Sequence, residues 1–328
     1  MQTIKKSRYA ALSCVALAWS SFATSATVLI SSDQQAATHP VVHTVEYFGQ
    51  LVTQRSKGEL SVVVKSDGSA GTEMDSMRAV QEGRQAMTRV SLGLLGDKLP
   101  AAELASLPYL FRSSAHMWKV LNGDFGKRLD REMLEAGYVR LMYLDSAPRD
   151  FYCMKPIHSQ ADFVGKKVRV MPSKVFEDLI QNLGAKPVSM SFSQVGEALK
   201  TGALDCSDGG TVNFVQAGHH KIAPYLIQDE HLLMPEVLLM SKKVWDTLPP
   251  AQQEILRTAG RDGTAYMSKL WQDQENTALA TAKKAGVTVI TRSQISMTAI
   301  EALAIKTYSK YVKNSSDLET VMKIMTIK

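Results

Sequence analysis

The sequence is poor in cysteine, with three in 328 residues, and in long apolar runs. After residue 26, no segment contains the roughly 18 uninterrupted apolar residues of a membrane span, so we expect none in the mature chain. Aromatic residues make up 7% and charged residues 21%, a balance that excludes a disordered or collagen-like chain. Because 45% of the residues are hydrophobic, the chain can bury a large core, and its length suggests two domains.

Motifs for catalysis and for cofactor binding are also missing. The chain contains no G-x-S-x-G, H-E-x-x-H, P-loop or G-x-G-x-x-G pattern, so the sequence gives no basis for an enzyme or a cofactor. His219 and His220 are adjacent, and adjacent helical residues point about 100° apart, which suits one metal ion poorly. We therefore expect a surface or helix-end role for them and predict no metal site. Nothing in the sequence ties His231 to that pair.

The N-terminal segment is typical of a secretory signal peptide. Three cations precede an apolar stretch, and Thr24-Ser25-Ala26 fits a small-residue cleavage pattern. We predict that residues 1–26 direct export to the periplasm and are removed, with an uncleaved anchor as the alternative. Loss of three cations and no acid lowers the formal net charge from +6 to +3, which does not indicate a nucleic-acid partner.

Two cysteines remain after that segment, Cys153 and Cys206. Export makes a disulfide between them possible, because such bonds persist in oxidising compartments. The sequence does not fix the distance between their Cα atoms, so two separate buried thiols are the alternative.

Strand and helix patterns alternate along the chain, which predicts an α/β fold with mainly parallel strand pairing. From about Ala251 to Lys284, a helical pattern runs without proline or a turn cluster. A helix of some 30 residues within it would extend roughly 45 Å at 1.5 Å per residue, long enough to lie across two domains. Gly260 and Gly263 mark weak points or a bend in it.

Arg169 lies inside the predicted strand GKKVRVM, between two valines. A buried guanidinium without a partner costs several kcal/mol, so it needs a carboxylate from the protein or from a ligand. On pattern alone, an internal ion pair or an exposed position is the more frequent explanation. A ligand carboxylate is attractive because guanidinium offers a planar, bidentate pair of donors.

Other polar residues fall near strand ends, and Arg149 follows a strand break at Ser146-Ala147-Pro148. Those at strand ends are Asp33, Glu73, Arg89, Asp145 and Asp208. Ligands of open α/β sheets bind beyond the carboxyl ends of strands, so these residues mark where a solute site is expected.

Five stretches, taken in order, resemble the motifs of one protein family. They are THPVVHTVEYFGQLVTQRSKGELSVVVKSDGSAGTE, ASLPYLFRSSAHMWKVL, DFVGKKVRVMPS, LGAKPVSMSFSQVGEALKTGALDCSDG and LMSKKVWDTLPPAQQEIL. The family is that of the solute-binding proteins of tripartite ATP-independent periplasmic (TRAP) transporters, the DctP-like family, and the resemblance covers nearly all of the mature chain.

The resemblance implies a two-lobed α/β periplasmic binding protein with a mixed sheet in each lobe, a hinge cleft and a long helix spanning both lobes. Lobe I then comprises residues 27–147 and 235–274, and lobe II comprises residues 148–234 and 275–328. The expected function is capture of a solute between lobes that close about the hinge, followed by delivery to the membrane subunits of a TRAP transporter. We expect a monomer without a cofactor; an exported enzyme and a sensor-associated binding protein are the alternatives.

The resemblance also implies roles for individual residues. The main carboxylate-binding arginine of the family falls on Arg169, and a second arginine falls on Arg149. The family's "GQEN" turn corresponds to Cys206-Ser207-Asp208-Gly209, so its usual asparagine is replaced by Gly209. One side-chain hydrogen bond to the solute is therefore lost or replaced.

Four further stretches are similar to binders of hexuronates such as glucuronate and galacturonate. They are RVSLG, YLDSAPRDFY, PEVLLMSKKVWD and YMSKLW. A sugar acid needs hydroxyl partners beside the carboxylate clamp, and the candidates are Asp33, Glu73, Arg89, Asp208, Asn213 and Glu236. His39, before the first helix, is a further solute-binding candidate. A C4-dicarboxylate or a small hydroxy or keto acid is the alternative solute.

Overall fold

The structure is a computed structural model that describes residues 26–327, apart from the side chain of Gln272. Residues 1–25 of the predicted signal peptide therefore lie outside the described part of the chain. Among the described residues, none of the helices combines the length and the hydropathy that a membrane span requires.

Residues 26–327 contain eleven β-strands and thirteen α-helices. The strands are β1 Thr27–Ser32, β2 Leu60–Lys65, β3 Met87–Ser91, β4 Tyr138–Leu144, β5 Arg149–Cys153, β6 Lys167–Val170, β7 Lys186–Ser189, β8 Cys206–Gly209, β9 Tyr225–Leu232, β10 Glu236–Ser241 and β11 Thr288–Ile290. The helices are α1 Pro40–Arg55, α2 Glu73–Glu82, α3 Pro100–Ala105, α4 Ser114–Leu121, α5 Asp124–Glu135, α6 Lys174–Asn182, α7 Val195–Lys200, α8 Thr211–Gln216, α9 Lys242–Trp245, α10 Pro250–Lys284, α11 Met297–Ile305, α12 Tyr308–Tyr311 and α13 Ser315–Thr326.

The strands form two mixed sheets. The first has the order β2-β1-β3-β10-β4, and the second has the order β11-β9-β5-β8-β6-β7. β10 runs antiparallel to both of its neighbours, as does β5, while the other pairs are parallel. The α/β class with a mixed sheet in each half is confirmed. The expectation of mainly parallel pairing holds for five of the nine strand pairs in residues 26–327. The four antiparallel pairs arise because β5 and β10 each enter a sheet directly from the other sheet and not through a βαβ crossover.

The chain crosses between the sheets along two extended links. Residues 145–148 lead from β4 in the first sheet to β5 in the second, and residues 233–235 lead back from β9 to β10. The Ser146 hydroxyl donates to the Met234 carbonyl oxygen, so the links lie side by side. The sequence predicted one longer apolar strand within residues 231–245, whereas the second link divides this region between β9 and β10.

Helix α10 is the third element shared by both sheets, which confirms the predicted long helix. Its 35 residues extend roughly 52 Å. Leu256 and Met267 belong to the core of the first sheet, and Ala282 belongs to a core cluster of the second. Gly260 is a site of close packing and not a weak point, because a Cβ there would lie 2.2 Å from the Leu141 carbonyl oxygen.

The last helix, α13, packs on the helices that flank β4. His116 of α4 lies with Nε2 2.8 Å from the Ile324 carbonyl oxygen, and Arg128 of α5 lies with Nη2 3.6 Å from Asp317 Oδ1. The sequence predicted that all of residues 275–328 belong to the second half, and this division stays a prediction. The observed contacts place α13, after α11 and α12, against α4 and α5, and α13 buries Val321 and Ile324.

The two remaining cysteines form a disulfide. Cys153 on β5 and Cys206 on β8 are paired in register, with a Cα–Cα distance of 4.1 Å. Of the two alternatives that the sequence left open, the bridge is therefore the one observed.

Candidate functional site

Three neighbouring strands of the second sheet bring charged side chains to one place. Arg149 begins β5, Asp208 lies on β8, and Arg169 lies on β6, which is paired with β8. Arg149 Nε donates to Asp208 Oδ2 at 2.7 Å, and its Nη2 donates to the Asp208 carbonyl oxygen at 3.3 Å. Arg149 therefore has its ionic partner inside the protein.

Arg169 is 2% exposed and is held differently. Its Nε and Nη2 both donate to the Met190 carbonyl oxygen at 3.1 Å. Its Nη1 lies 3.8 Å from Asp208 Oδ1, beyond hydrogen-bond distance, and its guanidinium carbon lies 5.7 Å from the centre of the Phe192 ring. Burial lowers the pKa of Arg169, although Asp208 acts in the opposite direction. An anion placed against Nη1 would stabilise this buried cation.

His231 joins the same cluster from β9. Its Nδ1 lies 3.0 Å from Asp229 Oδ1, its Nε2 lies 3.8 Å from Asp208 Oδ2, and its ring stacks on Phe151 at 4.2 Å. Burial alone would lower the pKa of His231, but Asp229 and Asp208 outweigh it and raise the pKa to about 9. Burial likewise opposes ionisation of Asp208, yet Arg149 and His231 hold its pKa below the usual range. At neutral pH the cluster thus contains ionised Asp208 beside protonated His231.

A second charged cluster surrounds Arg89 on β3 of the first sheet. Its Nε donates to Asp33 Oδ2 at 2.8 Å, and its Nη2 also contacts Asp33. Its Nη1 donates to Glu236 Oε2 at 2.8 Å and lies 3.7 Å from Glu73 Oε1. Burial would lower the pKa of Arg89, but these carboxylates raise it well above the ordinary value. Arg89 is therefore fully engaged by the protein's own acids.

Glu73, at the first turn of α2, differs from the other acids of this cluster. Burial raises its pKa to about 7, and Glu236 adds to the rise while Arg89 opposes it. Near neutral pH, Glu73 is therefore divided between a charged form that only accepts hydrogen bonds and a neutral form that also donates one.

Two adjoining cavities lie between the clusters, and five residues line both: Gln35, Arg89, Arg149, Asn213 and Glu236. The first cavity is also lined by Glu73, Ser91, Arg169, Met171, Phe192, Asp208 and Gly209. The second is also lined by His39, Val41, Ser146, Ala147, Gly210 and Trp271. The volume open to water is about 30 Å³ in the first cavity and about 10 Å³ in the second, so both are nearly closed and far smaller than typical small-molecule sites.

His39 and Asn213 contact each other in the wall of the second cavity. His39 Nδ1 accepts from the Val41 N–H at 3.2 Å, so Nε2 carries the proton and donates to Asn213 Oδ1 at 2.9 Å. Burial lowers the pKa of His39 to about 4, which keeps the ring neutral. With its oxygen held by His39, the Asn213 amide nitrogen is the atom free to act as a donor towards the cavity.

Nine of the ten predicted site residues line the two cavities: Arg169, Arg149, Glu73, Asp208, Gly209, Asn213, Arg89, Glu236 and His39. Asp33 is the exception, since it lies behind Arg89 and lines neither cavity. Asp145, which also ends a strand, accepts from Trp118 Nε1 at 3.2 Å and lines neither cavity. A role of any of these residues in solute binding stays a prediction.

Sequence reasoning missed several residues of the cavity walls: Gln35, Ser91, Ser146, Met171, Phe192 and Trp271. Met171 directly follows β6 and Phe192 follows β7, so the strand-end rule would have found both. Trp271 had no such signal, because it reaches the site only through the path of α10. His219 begins a short 3-10 helix, His219–Lys221, which agrees with the expected helix-end role. The expected surface position is wrong, since His219 is 3% exposed and its Nδ1 lies 2.9 Å from the Tyr152 hydroxyl.

The chain is similar to proteins of known family and known structure. The bacterial extracellular solute-binding proteins of family 7 (DctP) match residues 31–314. The chain belongs to this family. A curated solute-binding protein of Chromohalobacter salexigens is 26% identical over 285 residues, covering 87% of this chain and 84% of that protein.

The chain is also similar to solved structures of TRAP periplasmic solute-binding proteins. A TRAP periplasmic solute-binding protein of Bradyrhizobium sp. BTAi1, in complex with α/β-D-galacturonate, is 33% identical, with a TM-score of 0.88 over 92% of this chain and all of that one. One from Roseobacter denitrificans, with bound β-D-glucuronate, is 28% identical, with the same TM-score and coverage. The two-lobed binding-protein architecture predicted from the sequence is thus confirmed, and the family acts in solute binding for transport.

Proposed function

We propose that this protein binds a sugar acid between its two sheets, with D-galacturonate and D-glucuronate as the first candidates. The observation that carries the proposal is the state of Arg169. Its guanidinium is buried at a cavity wall, and its contacts within the chain are a carbonyl oxygen and a carboxylate at 3.8 Å. A solute carboxylate would give this cation a close, charge-balanced partner.

The rest of the wall suits the hydroxyl groups of a sugar. Glu236 accepts hydrogen bonds, Asn213 offers a donor, and Glu73 does either according to its protonation. Arg89 holds Glu236 in place, so this acceptor is fixed before the solute arrives. The uronates bound to the two similar proteins support the same class of solute.

The proposed mechanism is capture without chemical change of the solute. Lobe I would comprise residues 27–147 and 235–274 together with α13, and lobe II would comprise residues 148–234 and the chain from 275 to α12. The links at 145–148 and 233–235 would act as the hinge. A solute that contacts Arg169 from one lobe and Glu73 or Glu236 from the other favours the closed form, because it binds that form more tightly.

We further propose that residues 1–26 direct export to the periplasm and that the protein acts there as a monomer. It would then deliver its solute to the membrane subunits of a TRAP transporter. Family membership supports this assignment. Solute uptake into proteoliposomes that contain those subunits tests it, since a sensor-associated binding protein would not support uptake.

Calorimetry with matched solutes tests the choice of solute. D-galacturonate and D-glucuronate are compared with D-galactose, which lacks the carboxylate, and with succinate, which lacks the ring. We expect binding of a uronate and none of galactose. A ligand at 100 times its Kd also stabilises the fold by about 2.7 kcal/mol, which thermal unfolding detects. Binding of succinate alone would favour the dicarboxylate alternative, and binding of galactose would refute the carboxylate clamp.

A further inference from the structure

The disulfide lies on the two strands that carry the Arg149–Asp208 ion pair. Asp208 follows Cys206 by two residues on β8, and Arg149 precedes Cys153 by four on β5. Phe151 is the register partner of Asp208, and Cys153 is the register partner of Cys206. The same pair of strands is thus joined by an ion pair towards the cavity and by a covalent bond at the far end.

Strand β8 also positions Arg169, because β8 is paired with β6, the strand that carries Arg169. Within the described residues, β6 and β8 share a single register pair, Val168 with Cys206, and Val168 immediately precedes Arg169. Both strands have only four residues. A shift of β8 at Cys206 would therefore change the separation between Asp208 and Arg169.

Both cysteines are completely buried, so solvent does not reach the bond in the folded protein. A disulfide restricts the unfolded chain wherever it closes a loop, and Cys153 and Cys206 are 53 residues apart. That general stabilisation does not require the bond to be in the strand pair of the ion cluster. Its position there points to a second effect, on the geometry of the cluster.

We propose that the Cys153–Cys206 disulfide is a positioning device for solute binding. By fixing β5 against β8, and β8 against β6, it holds Arg149, Asp208 and Arg169 at the separations that a bound carboxylate requires. The side chains of a binding site must be held within about 0.5 Å of the geometry that the ligand requires. Strands of four residues are short for holding side chains so closely. This inference rests on the proposed function, in which Arg169 holds the solute carboxylate.

The test compares the double variant Cys153→Ala/Cys206→Ala with Ile300→Ala. Ile300 lies on α11, is 1% exposed and belongs to the same core cluster as the two cysteines, so its truncation is a matched loss of packing outside the three strands. Both variants should melt at lower temperature than the wild type. Only the double variant should lose affinity for D-galacturonate, by tenfold or more in calorimetry at 25 °C, and equal affinity of the two would overturn the proposal.

A double-mutant cycle with Arg169→Lys separates positioning from general stability. If the disulfide acts through the clamp, its removal should change the Kd much less in the Arg169→Lys background than in the wild type. Equal fold-changes in both backgrounds would contradict the proposal. Failure of the wild type itself to bind D-galacturonate would instead refute the proposed solute, so the two failures are distinguishable.

Should the double variant not fold, wild-type protein refolded in dithiothreitol replaces it. The reagent supplies two electrons and two protons and closes to its own cyclic disulfide, which leaves two thiols in place of the bond. We expect a similar loss of affinity in this reduced form, and equal affinity of reduced and oxidised protein would overturn the inference.

Discussion

Arg169 Nη1 lies 3.8 Å from Asp208 Oδ1, although both side chains are almost completely buried. Asp208 Oδ1 accepts no hydrogen bond among the described residues. The short contact of Asp208 is made on its other oxygen, with Arg149. The Asp208 carboxylate is thus committed to Arg149, and the proposed solute carboxylate would pair with Arg169.

Replacing Arg169 by lysine should weaken uronate binding strongly while the fold persists. Lysine keeps the charge but offers a single point donor in place of the planar pair, so we expect a Kd at least tenfold higher, or about 1.4 kcal/mol. Titration calorimetry measures the loss. Arg84→Lys is the control, because Arg84 is 63% exposed, and an Arg169→Lys protein with the affinity of this control would remove Arg169 from the clamp.

Truncation of Arg149 should mainly reduce stability. Arg149→Ala leaves Asp208 without its close partner in the core, and breaking a buried pair from one side costs about 3 kcal/mol. Urea unfolding measures the change in the free energy of unfolding. Adding Asp208→Asn removes the isolated charge and should restore part of the lost free energy of unfolding. A double variant that is no more stable than Arg149→Ala would contradict the ion-pair explanation. Solute affinity should fall less than in Arg169→Lys.

His231 should make stability depend on pH in the alkaline range. Its pKa is about 9 in the folded protein against an ordinary 6.5, so folding strengthens proton binding. The resulting stabilisation, on the order of 3 kcal/mol, is fully present below pH 6.5 and is lost as the pH rises through 9. The difference in unfolding free energy between wild type and His231→Gln should therefore shrink between pH 6 and pH 9.5.

The exposed His43 supplies the control for this pH dependence, as His43→Gln. It should keep the pH dependence of the wild type. A constant difference between the wild type and His231→Gln over the same range would show that the protonated imidazole does not stabilise the fold.

Replacing the adjacent glycines Gly209 and Gly210 by alanine should have different effects on stability and on solute binding. A Cβ at Gly209 would meet only Tyr152 Cε1, at 3.7 Å, whereas a Cβ at Gly210 would lie 2.8 Å from the Ala147 Cβ. Gly209→Ala should therefore keep the melting temperature of the wild type and weaken uronate binding, since the methyl group enters the first cavity. Gly210→Ala should lower the melting temperature. Unchanged uronate affinity in Gly209→Ala would show that the solute does not reach this wall.

Much of the fold followed from local patterns. Helix α10 was predicted from an uninterrupted period of apolar residues, and β6 from a short apolar run, because both signals arise from neighbours along the chain. The direction of β5 and β10 did not follow, since a local pattern does not record which sheet a strand enters. The contacts of α13 with α4 and α5 did not follow either, for the same reason.

The sequence by itself determined that charged residues lie at strand ends, that Arg169 needs an anionic partner and that two cysteines remain to be paired. Only the tertiary structure decided how these charges are distributed. Arg89 is engaged by Asp33 and Glu236, Arg149 is engaged by Asp208, and Arg169 remains at 3.8 Å from a carboxylate. The physical reason is that ion pairing and disulfide formation depend on distances of a few ångströms between segments far apart in the chain, and strand register and α10 set those distances.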